Sequence, residues 1–235
     1  MGMIRAVILD WAGTTVDRGS LAPMRTIQRL FARHGITVSD DDARRDMGLP
    51  KREHLRRLLA VIDPAADESA VDAYYAEFVP MQLDVLRDHL DVIPHVVDAV
   101  AELRRRDLRI GSTTGYTREM LDIVAAGARE QGYHPDCAIV PEDAGGGRPH
   151  PYMMYLAAAR LARYPLSAFV KVGDTQADIA EGLNAGAWTV GVSETGSANR
   201  ETLARAGAHF VIGTLAELAP TLDEIEVRLA RGMRP

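Results

Sequence analysis

The chain has 235 residues, 47% hydrophobic and 26% charged, which secures a packed core and excludes wholesale disorder. A net charge of −6 with dispersed basic residues argues against a nucleic-acid partner, and no apolar stretch approaches the ~20 residues of a membrane span. The single cysteine, Cys137, excludes an internal disulfide and fits a reducing cytoplasm, the location expected because the N-terminus enters a strand with no signal-peptide layout.

Ala6–Leu9 is a short continuous apolar run, the mark of a central parallel strand, and it ends in Asp10. Open α/β sheets hold ligands at the carboxyl ends of their strands, so Asp10 is a candidate nucleophile. A nucleophilic aspartate there usually has an acid/base aspartate as its second neighbour. This chain has Ala12 instead.

From about Ser20 to Leu90 the pattern is helical throughout, with apolar spacings at Ile27, Leu30 and Phe31, at Leu55, Leu58 and Leu59, and at Tyr74, Phe78, Met81 and Val85. We expect a helical cap domain over 20–92, hinged at Arg18–Ala22 and Asp91–Pro94 to a core of 1–19 and 93–235. The cap contains Met47-Gly48-Leu49-Pro50-Lys51-Arg52-Glu53-His54. Pro50 suits the first position of a helix, which puts Lys51 in the first turn, where the helix dipole disfavours an ammonium. Burial against the sheet domain would lower its pKa further and leave a nucleophilic amine. His54, three residues on and on the same face, is a candidate proton relay. On position alone these residues read blandly: a lysine beside Arg52, Arg56 and Arg57 as surface, Met47 as core, a lone histidine as solvated.

Past the insert, β-like runs at Leu108–Thr114, Ala138–Val140, Ala168–Val172, Trp188–Val192 and His209–Ile212 alternate with helical segments near Ala99–Arg106, Glu119–Gln131, Tyr152–Ala162, Ile179–Ala185 and Arg200–Ala206. The expected fold is α/β, a Rossmann-like parallel-sheet core with a helical cap inserted after the first strand. Thr114 ends the second strand, Arg148 follows the third within Gly145-Gly146-Gly147-Arg148-Pro149, Asp174 ends the fourth, and Asp178 lies one helical turn beyond. Singly, each reads as a cap or turn residue. Together they suit phosphoryl transfer: Asp10 and Asp174 to hold Mg²⁺, Thr114 and Arg148 to hold phosphoryl oxygens.

This order resembles the haloacid dehalogenase superfamily of aspartyl phosphotransferases over nearly the whole chain. The resemblance implies that Asp10 attacks phosphorus and that Asp10, Asp174 and the Ala12 backbone carbonyl bind Mg²⁺. It also makes Asp178 part of the acidic motif, Thr114 the hydroxyl and Arg148 the cation. Phosphate-ester cleavage protonates an alkoxide, a task for an aspartate at position 12, whereas carbon–phosphorus cleavage expels a carbanion and needs an electron sink. A lysine imine is such a sink, and Lys51 supplies what Ala12 withholds. Within the superfamily the stretches Asp10–Thr14, Met47–Lys51 with His54, Gly111–Thr117, Gly147–Pro149 and Lys171–Thr175 look like the phosphonoacetaldehyde hydrolases (phosphonatases). That likeness implies a Schiff base on Lys51, Met47 beside a small-molecule phosphonate substrate, Mg²⁺, and a homodimer joined through the cap. The alternatives are a Mg²⁺-dependent phosphatase or mutase of a small phosphorylated metabolite and a metal-independent haloacid dehalogenase.

Overall fold

The computed structural model describes residues 2–235. Six parallel strands are ordered β3-β2-β1-β4-β5-β6, with β1 Ala6–Leu9, β2 Arg109–Thr113, β3 Cys137–Ile139, β4 Phe169–Gly173, β5 Trp188–Val192 and β6 Phe210–Ile212. Four helices lie between β1 and the helix that leads into β2: α1 Leu21–Arg33, α2 Asp40–Arg44, α3 Lys51–Ile62 and α4 Glu68–Leu86. The rest are α5 Val96–Arg105, α6 Arg118–Glu130, α7 Pro141–Ala144, α8 Tyr152–Leu161, α9 Gln176–Asn184, α10 Arg200–Arg205 and α11 Leu218–Ala230. The sheet core is thus Rossmann-like, as its pattern implied. No helix among the described residues is long and apolar enough to cross a membrane.

The alternation of side chains along β1 explains its unbroken apolar run. Val7 and Leu9 join the larger core on one face, and Ala6 and Ile8 join a second core under α8 on the other. β1 pairs with β2 and β4, so Asp10 emerges at the centre of the sheet's carboxyl edge. Three elements escaped sequence reading. The helices α2 and α7 span five and four residues, too short to show a period, and α11 lies beyond the last strand read. Pro50 is also a correction: it caps α3 and Lys51 is the first helical residue, because the Pro50 backbone (ψ 138°) is still extended.

The two chain crossings next to the α1–α4 helices are stitched together. Val16 bridges Val92, the Ile93 amide donates to the Thr15 carbonyl (2.9 Å), and the Asp17 amide donates to the Asp91 carbonyl (3.2 Å). α1 and α3 both pack on α4, and α4 rests on α6 of the sheet layer, so α3 is carried over the strand ends.

Candidate active site

Asp10 is 4% exposed, and its Oδ1 accepts from Arg148 Nη2 at 2.6 Å, leaving Oδ2 free of any donor among the described residues. Arg148 is the hub of a buried network. Its Nε reaches Glu181 Oε2 (3.1 Å), its Nη2 lies 3.0 Å from Asp178 Oδ1 and donates to the Thr113 carbonyl (2.6 Å), and its Nη1 donates to the Gly48 carbonyl of the α2–α3 loop (3.3 Å). Lys171 Nζ completes it, 2.8 Å from Asp178 Oδ1 and 3.3 Å from Glu181 Oε2, and donates to Thr113 Oγ1 (2.9 Å). Opposed carboxylates hold the Arg148 guanidinium above its ordinary pKa despite burial, so the cation beside Asp10 is permanent.

Asp178 does two things at once. It closes a capping box at the start of α9, its Oδ2 accepting from Thr175 Oγ1 (2.6 Å) and the Thr175 amide (3.2 Å), while its Oδ1 faces Arg148 and Lys171. Asp174 accepts from Thr14 Oγ1 (3.0 Å) and from the Ser197 amide (2.7 Å). Oxygens of Asp10, Asp174 and Asp178 lie within 4.8 Å of one another. Burial first, then the Asp10 and Asp178 charges, push the Asp174 carboxyl well above the usual carboxylate range. Asp10, Asp178 and Glu181 pair with the two buried cations Arg148 and Lys171, while Asp174 pairs with neither. The Ala12 carbonyl beside them accepts no hydrogen bond among the described residues. The three carboxylates Asp10, Asp174 and Asp178, buried and with oxygens this close together, form a donor set that could hold a metal cation.

Across from Asp10, Lys51 is 5% exposed, with its Nζ 5.2 Å from the centre of the Tyr116 ring. Burial lowers its pKa to about 8, against the opposing pull of Asp10. Lys51, Asp10, Ala12, Met47, Thr114 and Arg148 all line one small cavity between the helices and the sheet edge. Thr114 keeps its turn role too, its Oγ1 accepting from the Tyr116 amide (3.2 Å). Asp174, Asp178 and His54 lie behind this cavity wall rather than in it. His54 is 1% exposed, neither ring nitrogen has a well-formed hydrogen bond, and burial with the nearby Lys51 charge lowers its pKa to about 3. Because the unfolded chain binds this proton from about pH 6.5 downward and the folded chain only near 3, His54 destabilises the fold as pH falls through that window. His54→Leu is expected to move the acid-unfolding midpoint down by about half a pH unit or more, read by circular dichroism. An unchanged midpoint would mean that the imidazole is not buried as a neutral group.

Lys171, Glu181, Thr113 and Tyr116 were missed in sequence reading. A lysine inside the apolar strand Phe169–Gly173 was a legible signal of a buried, partnered charge, and Glu181 stands one turn beyond Asp178 on the same face of α9. Thr113 and Tyr116 carried no such mark.

Two glycines let the α2–α3 loop close on the strand ends. Gly48 has φ +90°, and a Cβ there would collide with Thr175. A Cβ on Gly115 would lie 2.8 Å from the Gly48 carbonyl oxygen and still closer to that of Leu49. Gly115→Ala should therefore hold Lys51 away from Asp10. The expected result is loss of roughly 10²-fold in turnover with little change in melting temperature, since misplacement by about 1 Å costs that much.

A family model described as "haloacid dehalogenase-like hydrolase" matches residues 4–186. The chain is similar to a phosphonoacetaldehyde hydrolase of Paraburkholderia xenovorans, 40% identical over 100% of both chains. It is similar at 40% identity to one of Bacillus cereus, over 95% of this chain and 97% of that one. The chain belongs to the haloacid dehalogenase-like hydrolases, in their phosphonoacetaldehyde hydrolase family. A solved structure from this family's neighbourhood, a phosphonoacetaldehyde hydrolase like protein from Oleispira antarctica, superimposes with a TM-score of 0.93 at 35% identity. It covers 100% of this chain and 96% of its own.

Proposed function

We propose that the protein hydrolyses the carbon–phosphorus bond of phosphonoacetaldehyde, giving acetaldehyde and phosphate. One observation carries this reading: a buried lysine of lowered pKa shares a small cavity with an Arg148-held aspartate, and Ala12 stands where an acid/base carboxylate would serve ester cleavage. The Lys51 amine adds to the aldehyde and water leaves, forming an imine. Asp10 Oδ2 then attacks phosphorus, and the carbon–phosphorus electron pair moves into the imine to give an enamine. A proton adds at carbon, and water releases acetaldehyde and regenerates Lys51. A second water hydrolyses the aspartyl phosphate. Arg148 and Thr114 hold the phosphoryl oxygens through this transfer, Met47 packs against the substrate, and Asp178 keeps Arg148 and Lys171 in place.

We take the cation to be Mg²⁺, held by Asp10, Asp174 and the Ala12 carbonyl, where it would neutralise charge on the phosphoryl oxygens. The two-domain division at 20–92 belongs to the same reading. It is supported by the paired crossings at Val16–Val92 and by the mutual packing of α1, α3 and α4. A cytoplasmic setting accords with the unpaired Cys137. A homodimer through the cap has less support. The cap exposes only Val61 among its large apolar side chains, while Tyr152, Tyr155 and Tyr164 are exposed on or just beyond α8 of the core, the better face for a second copy.

The direct test is incubation of the purified protein with phosphonoacetaldehyde and Mg²⁺. Phosphate and acetaldehyde should appear in equal amounts, and a chelator should stop both. Asp174→Asn should weaken the dependence of melting temperature on Mg²⁺ by removing a ligand of the folded state. Hydrolysis that is indifferent to chelation would favour the metal-independent dehalogenase chemistry. Turnover of phosphate monoesters alone would favour a phosphatase.

A further inference from the structure

The cavity between Lys51 and Asp10 is small, and it adjoins a larger cleft of about 330 Å³ that shares Met47 and Thr175 with it. This outer cleft lies between the α2–α3 loop with α3 on one side and the Pro149 and α9 segments on the other. Its ionisable lining residues are Arg44, Arg45, Arg57 and Asp46, three cations against one anion, in a chain whose net charge is −6. Arg57 is held by Asp46 (3.1 Å) and Glu53 (2.7 Å), and Arg45 is paired with Asp42. Arg44 differs. It is half-buried at the end of α2, and its Nη1 donates to the Gly19 carbonyl (2.8 Å), with no carboxylate in salt-bridge range among the described residues.

We propose that this outer cleft is the route by which a small dianionic phosphonate reaches the site, and that Arg44 steers it there. The inference rests on the hydrolase reading above. A chain of net negative charge repels a dianion at long range, while an unpaired cation at a cleft with low-dielectric walls focuses the field there and raises the rate of encounter. With no ion pair of its own, Arg44 contributes more to that field than Arg45 and Arg57, whose charges are largely cancelled at short range. Arg44 is a steering residue and does not touch the reacting atoms. Its bond to Gly19 also invites a purely structural role, a tether between α2 and the first chain crossing, and the test must separate the two.

The experiment compares wild type, Arg44→Gln and Arg44→Lys in two assays. The first is kcat/KM for phosphonoacetaldehyde hydrolysis across ionic strength. The second is the rate of borohydride trapping on Lys51 with acetaldehyde, which is neutral. Steering requires that Arg44→Gln lower kcat/KM about tenfold at low salt, with the deficit shrinking below about twofold near 0.5 M salt, where the Debye length is only a few ångströms. The kcat and the acetaldehyde trapping rate should stay as in wild type, and Arg44→Lys should restore most of kcat/KM. If Arg44→Gln slows acetaldehyde trapping as much as hydrolysis, or if its deficit is independent of salt, Arg44 is a tether and the proposal is overturned. An unchanged kcat/KM at low salt overturns it as well. If acetaldehyde labels no Lys51 in any protein while hydrolysis proceeds, the Schiff-base reading fails, and the salt dependence of hydrolysis still decides the steering role.

Discussion

Lys51→Arg should lower phosphonoacetaldehyde turnover by more than ~10³-fold, the scale of loss when a covalent nucleophile is removed. The guanidinium keeps a positive charge at the first position of α3 but cannot condense with an aldehyde. Charge retention matters here, because a neutral replacement would also change the field around Asp10 and confuse the result. Only the neutral amine adds to a carbonyl. A pKa lowered by burial to about 8 makes far more of it available at pH 7 than the ordinary 10.5 would. The wild-type rate of imine trapping should accordingly rise with pH and level off above about 8. Borohydride with substrate should inactivate the enzyme and place an ethyl group on the peptide containing Lys51. Modification confined to another lysine would sink the assignment.

Asp10→Asn should abolish phosphate release, with a loss of about 10⁴-fold or more, yet leave the first covalent step intact. Asparagine is close in shape and can still accept from Arg148, but it offers phosphorus no carboxylate oxygen. The imine on Lys51 should then form and go no further. The decisive measurement is the mass of the reduced adduct. Wild type, having broken the carbon–phosphorus bond, carries an ethyl group on Lys51, whereas Asp10→Asn should carry a phosphonoethyl group. An ethyl adduct on the variant would show that another group takes the phosphoryl unit. Absence of any adduct, with the fold intact, would show that Asp10 is needed for imine formation itself.

The strands were legible because each is a short apolar run closed by a polar residue, and burial on both faces leaves no other pattern for such a run. The strand-end residues Asp10, Thr114 and Asp174 were legible for the same reason: the chain changes character where the sheet stops. α2 and α7 were not, since one turn of helix holds no period to read. His54 lies where its spacing placed it, one turn from Lys51 and buried on the same helix, but spacing along a helix did not say how deeply the imidazole would be enclosed.

By itself the sequence determined which chemical groups the chain possesses and which it lacks. It has an aspartate closing the first strand, an alanine two residues on, a lysine behind a helix-starting proline, and a parallel sheet to carry them. The tertiary structure alone decided what each group experiences. Lys51 and Asp10 are 41 residues apart in sequence, and it is the packing of α4 on α6, with Gly48 and Gly115 leaving room for the loop, that brings them to one cavity. The pairing of Arg148 with Asp10, Asp178 and Glu181, and the burial that lowers the pKa of Lys51, likewise arise between distant segments. Such interactions depend on distance and on the exclusion of water, and these are set by packing across the fold rather than by neighbours along the chain.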